Sequence, residues 1–83
     1  MRVVFKLFAS LADYLPAERR GNLVDIDVAP TTTVEDLIVR YRVPEKSAHL
    51  VLVNGHYIPP AARAGRVLQD DDEVAIWPPI AGG

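Results

Sequence analysis

The chain has 83 residues, 49% hydrophobic and 24% charged, with a formal net charge of −2; this is the composition of one small soluble domain, able to bury roughly 60–65% of its unfolded surface without staples. The acidic balance argues against nucleic acid as the main partner, because phosphate binding needs a concentrated basic surface and Arg19-Arg20 or Arg40 with Arg42 offer only local patches. The absence of cysteine removes disulfides, thiol nucleophiles and thiolate-bound zinc in one step, and with no leader-like start and no apolar run of membrane length the expected location is cytoplasmic.

Residues 2–8 read as a strand, with Val3, Phe5 and Leu7 on one face and Arg2 and Lys6 on the other. Residues 10–21 form a polar connection carrying Leu11, Tyr14 and Leu15, with a turn or short helical piece ending at Leu15-Pro16. In residues 23–28, Val24, Ile26 and Val28 alternate with Asp25 and Asp27, the pattern of a half-buried strand. Pro30 to Thr33 then punctuates. Thr32 with Glu35, or Thr33 with Asp36, stands at capping-box separation, and Val34, Leu37, Ile38 and Tyr41 fall at i, i+3, i+4 and i+7, one apolar stripe of a helix that Pro44 is expected to stop.

Residues 49–53 are β-rich with a masked alternation, as in a strand inside a sheet. Asn54-Gly55 is a strong hairpin signal, because a type I′ turn needs two positive φ values. His56-Tyr57-Ile58 returns as a short strand closed by Pro59-Pro60, and residues 61–68 are loop with room for one helical turn. Asp70-Asp71-Asp72 turns the chain into a last strand, Glu73 to Trp77. About five strands and one amphipathic helix predict a two-layer α+β sandwich, and residues 1–83 read as one domain with an exposed tail over 78–83.

The usual chemistries find little support. His49 and His56 lack a spacing that would place both on one metal, and the Asp70–Glu73 run lacks the ligand spread of a calcium loop, so no metal is expected; a solvated turn is the plainer reading. Neither Ser10 nor Ser47 stands in a nucleophile elbow, no glycine loop cradles phosphate, and the domain is small for enclosing a ligand. Participation in chemistry would be as a substrate or carrier. Trp77 is either packing at the sheet end or an anchor for a partner, and Val51, Val53 and Ile58 are expected to share an exposed apolar sheet face with it.

The ending is the most telling feature. Gly82-Gly83 is the thinnest backbone available, free of Cβ, and Pro78-Pro79 before it favour an extended stem. Such a tail, Pro78-Pro79-Ile80-Ala81-Gly82-Gly83, can thread a narrow channel and present its carboxylate to another protein's active site.

Phe8-Ala9, Thr33 to Leu37, Val53-Asn54-Gly55, Leu68 to Ala75, Pro78-Pro79 and Gly82-Gly83, taken in that order, resemble the ubiquitin-like β-grasp sulfur carriers, among them the small subunit of molybdopterin synthase and the thiamin-pathway carrier. The resemblance spans essentially the whole chain. It implies a mixed sheet of about five strands packed on one main helix with a flexible C-terminal tail, and a carrier rather than an enzyme. It further implies that Gly83, with Gly82 beside it, is adenylated with ATP by an E1-like adenylyltransferase and converted to a thiocarboxylate. The chain itself binds no cofactor on this reading, and the sulfur passes to the large subunit of molybdopterin synthase or another accepting enzyme. Trp77, Pro78, Pro79, Ile80, Ala81, Val53 and Ile58 would meet these partners. The long 10–21 connection and the prolyl stem favour the molybdopterin (or tungsten-pterin) branch. A thiamin-pathway carrier, a ubiquitin-like modifier and a non-catalytic β-grasp interaction module are the alternatives. In the last turn Asp71 stands where the family usually has glycine, and aspartate tolerates left-handed φ better than most residues. Segments 15–21 and 50–55 also look like a ubiquitin-like domain found joined to ribonuclease-type domains, one that lacks the diglycine.

Overall fold

A computed structural model of the protein describes residues 1–79. Five strands form one sheet: β1 (Arg2–Leu7), β2 (Leu23–Asp27), β3 (Leu50–Val53), β4 (His56–Tyr57) and β5 (Glu73–Trp77), in the spatial order β2-β1-β5-β3-β4. β1 and β5 pair in parallel, with Phe5 beside Val74 and Leu7 beside Ile76, and every other pairing is antiparallel. The first and last strands therefore lie side by side at the centre. One helix, α1 (Val34–Arg40), joins the two halves.

Alternation decides which face is covered. Val3, Phe5 and Leu7 of β1, Val24 and Ile26 of β2, Val51 and Val53 of β3, and Val74 and Ile76 of β5 enter one core cluster with Val34, Leu37 and Ile38 of the helix. Each such side chain contributes about 1.5–3 kcal/mol on leaving water. Tyr41, just past the helix, sets its ring 5.1 Å from that of Phe5. The 10–21 connection is more than spacer: a 3₁₀ helix, Ala9–Tyr14, turns Leu11 inward, and Leu15 after it also joins the core.

Of the two capping boxes the sequence allowed, Thr33 with Asp36 forms. The Asp36 amide donates to Thr33 Oγ1 at 3.1 Å and the Thr33 amide donates to Asp36 Oδ2 at 2.9 Å. The helix stop differs from expectation. It ends at Tyr41, before Pro44, through a Schellman pair in which the Val43 amide donates to the Ile38 carbonyl and the Arg42 amide to that of Val39. Arg42 takes the left-handed φ of +59° that this motif requires, a place where glycine is the usual signal and the sequence shows none.

The hairpin and the last turn are tied together. Asn54 and Gly55 have φ of +51° and +84°, as the turn requires. Asn54 Nδ2 donates to Asp72 Oδ1 at 2.8 Å, its Oδ1 accepts the Glu73 amide at 2.9 Å, and its own amide donates to the Glu73 carbonyl. Asp72 is 6% exposed and also accepts the Gln69 amide. Asp71 sits at φ +68° in this turn, as its tolerance of that region allows.

Candidate functional site

β5 delivers the tail. Its last residue, Trp77, is half-buried, Pro78 is half-buried, and Pro79 is exposed. Ile80, Ala81, Gly82 and Gly83, the remaining expected tail residues, lie outside the described residues. The root is held at two points: the Phe8 amide donates to the Ile76 carbonyl at 3.0 Å and the His49 amide to the Trp77 carbonyl at 3.1 Å. The Phe8 ring stacks on that of Trp77, centroids 4.0 Å apart and planes within 8°. A stacked pair of this kind contributes about 0.5–1.5 kcal/mol beyond its area, so the tail leaves from a braced platform.

The sheet face opposite the helix carries a row of apolar side chains. Register places Leu50 beside Trp77, and Leu52 between Ala75 and Tyr57. Since successive strand residues alternate faces, Leu50, Leu52, Tyr57, Ala75 and Trp77 share this outer face, with Phe8 against the tryptophan. Leu50 is 37% and Tyr57 53% exposed. On the β1 flank the face turns polar, where Lys6, beside Ala75, forms an ion pair with Glu73. An apolar patch with a polar rim, containing the chain's single tryptophan, has the make-up of a protein-docking surface.

Here two expected partner contacts are corrected. Val53 is 1% and Ile58 9% exposed, and both belong to the core cluster with Val51 rather than to the face of Trp77. The reason is parity. Trp77 pairs with Leu50, and Val51 and Val53 are one and three positions further along β3; the odd offset sends both to the helix side. Ile58, whose amide donates to the Val51 carbonyl, follows Val51 inward. The contacts missed from sequence were Leu50, Leu52, Tyr57 and Phe8. The signal for the first two was present but masked, since both faces of Leu50-Val51-Leu52-Val53 are aliphatic.

Among the described residues no three or more His, Asp or Glu side chains gather as a metal site, and none of the helices is long and apolar enough to cross a membrane. What the geometry can do is bind a partner across the outer face and hold residue 79 at its edge.

A family model for the ThiS family matches residues 6–83, nearly the whole chain. The chain belongs to the ThiS family. Solved structures similar to this ThiS-family chain include SAMP1 from Haloferax volcanii, 27% identical, covering 100% of both chains with a TM-score of 0.69. A candidate molybdopterin converting factor subunit 1 from Pyrococcus furiosus is 22% identical over 95% of this chain and 98% of that one, with a TM-score of 0.68. The complex of subunits 1 and 2 of the molybdopterin-converting factor from Helicobacter pylori supplies a chain 20% identical, covered 100% both ways, with a TM-score of 0.60. The last two, at such low identity, speak to fold alone. No curated protein matches the sequence. The fold is thus the ubiquitin-like β-grasp.

Proposed function

We propose that the chain is a sulfur carrier whose reactive group is the carboxylate of Gly83. The observation that carries this reading is the ThiS-family match running through residue 83, over a sequence that closes in Pro78-Pro79 and Gly82-Gly83. On an E1-like enzyme, a Gly83 carboxylate oxygen attacks the α-phosphorus of ATP and pyrophosphate leaves. A hydrosulfide equivalent from the sulfur donor then adds to the acyl carbon and AMP departs, leaving a thiocarboxylate. Glycine suits this position because a side chain would crowd the approach to phosphorus. The outer face docks on the activating enzyme and then on the acceptor. The six residues after Trp77 span at most about 20 Å, so the acceptor's reactive centre lies within that reach of the surface that receives Trp77. The acceptor we favour is the large subunit of molybdopterin synthase.

Incubation with the cognate activating enzyme, ATP and a sulfur donor, followed by intact-mass measurement, should show one oxygen exchanged for sulfur. Formation of the same product by a chain lacking Gly83 would end the proposal.

The likeness to SAMP1, a small archaeal modifier protein, favours a second reading: a lysine Nζ of another protein attacks the acyl carbon of the same adenylate, AMP leaves, and Gly83 is joined through an amide. Trypsin would leave on such lysines a remnant beginning after Arg66, and a search for residues 67–83 in peptide cross-links tests it.

A further inference from the structure

Arg63 is 3% exposed, which is unusual for a cation, and no carboxylate lies within ion-pair distance of it among the described residues. Backbone carbonyls hold it instead: Nε donates to Ile58, Nη1 to Ala48 at 2.7 Å, and Nη2 to His49. Its own carbonyl accepts the Glu35 amide at the helix N-terminus, so the residue is anchored from both ends. Carbonyl dipoles offset part of the cost of burying a charge but do not neutralise it. A guanidinium has five N–H donors. Three are engaged here, which leaves one on each terminal nitrogen.

Arg63 lines an open cleft of about 430 Å³ together with Glu45, Lys46, Ala48, His49 and Pro60. Lys46 and Glu45 are exposed and enter no ion pair among the described residues. The cleft carries net positive charge, Arg63 and Lys46 against Glu45. It also adjoins the root of the tail, at the end of the sheet. His49, one of its walls, donates its amide to the Trp77 carbonyl, and the next residue, Leu50, belongs to the apolar row.

We propose that this cleft receives an aspartate or glutamate side chain of the protein that accepts the tail. The inference rests on the carrier reading for the identity of that protein. The unneutralised guanidinium supplies the charge, and the His49–Trp77 hydrogen bond supplies the place: the cleft lies at the root of the tail, so a partner that grips that root and reaches round the end of the sheet brings a carboxylate to its mouth. The apolar row gives affinity, and the cleft fixes orientation, as charge complementarity does at interfaces.

Two arms test this. In the first, the ¹⁵N-labelled chain is titrated with N-acetylglutamate methylamide and, as a neutral control, N-acetylglutamine methylamide. The carboxylate probe should shift the Arg63 Nε–H and the His49 amide saturably, with a dissociation constant on the order of 10 mM, and the amide probe should not. Because Arg63→Lys alters a buried group that the fold itself rests on, the exposed walls carry the sign test. Lys46→Gln should weaken carboxylate binding about threefold and Glu45→Gln should tighten it by a similar factor. Equal shifts with both probes, or no response to either wall variant, would overturn the proposal. In the second arm, Lys46→Glu should weaken association with the cognate large synthase subunit about fivefold at low salt and less at high salt; unchanged affinity at low salt would remove the partner from the proposal. The first arm uses neither Gly83 nor a partner. Failure of thiocarboxylate formation therefore leaves it standing, and its failure leaves the carrier chemistry standing.

Discussion

Val53 and Leu50 lie three residues apart on β3 and face opposite ways, and truncating each to alanine separates folding from docking. Val53 is 1% exposed within the core cluster. Val53→Ala removes two carbons, about 1.6 kcal/mol of transfer free energy at 0.8 kcal/mol per carbon, and a closed cavity adds to that, so the expected loss is about 2–3 kcal/mol. In a domain of this size the melting temperature should fall by roughly 8–24 °C. Leu50 is 37% exposed on the outer face. Leu50→Ala removes more carbon but opens onto solvent and leaves no enclosed void, and should cost only about 0.5–1 kcal/mol. For docking the order reverses: Leu50→Ala should lose about tenfold or more in affinity for the partner that binds beside Trp77, about 1.4 kcal/mol, whereas folded Val53→Ala should lose almost nothing. Urea unfolding followed by Trp77 fluorescence gives the first quantity and titration calorimetry the second. If Leu50→Ala proves the more destabilising of the two, or Val53→Ala abolishes docking while fully folded, the assignment of faces is wrong.

Trp77→Ala should weaken partner binding by about 2 kcal/mol or more while the far-UV circular dichroism of the sheet persists, and Trp77→Phe, which keeps the stack on Phe8, should recover much of that loss. Arg42→Gly relieves the left-handed backbone at the helix stop and should raise stability by about 0.5–1 kcal/mol, seen as a higher urea midpoint with an unchanged slope. Asp71→Gly should act in the same direction for the same reason, and Asp71→Val in the opposite one. Asp72→Ala strips partners from the Asn54 side chain and the Gln69 amide and should cost about 2–3 kcal/mol; amide hydrogen exchange should speed up first at Gln69 and Glu73.

How much of this could be read from the residues varied with how local the cause is. β1 and β2 follow from clean alternation, the cap at Thr33 from hydroxyl and carboxylate three residues apart, and the hairpin from Asn54-Gly55. All are short-range, and all stand in the structure. The helix stop escaped because the left-handed residue is Arg42, whose side chain gives no hint of that backbone, and Pro44 two residues on drew attention instead. The docking face escaped in part for a different reason. Trp77 was legible as its largest member, but choosing between Leu50 and Leu52 on one side and Val51 and Val53 on the other needs the register with β5, a contact more than twenty residues away. Four aliphatic residues in a row carry no polarity to break that tie. Phe8 closed the expected 2–8 strand on the face of Arg2 and Lys6, and nothing local to it names Trp77, nearly seventy residues on, as the ring it stacks against. The Arg63 cleft had no sequence signal at all, because its guanidinium is held by main-chain carbonyls, which every residue possesses.

β5 is the last strand along the chain and also the middle one of the sheet. Until the ribosome has released residues through Trp77, the β1–β2 and β3–β4 pairs have no strand pairing between them, and only the packing of α1 can hold them together. Translation stalled upstream of Glu73 should therefore yield only unfolded, protease-sensitive fragments. A molecule that presents an intact outer face has, by that fact, already been made as far as the stem of its tail, so on the proposed carrier reading an enzyme that recognised the face would pass over incomplete chains.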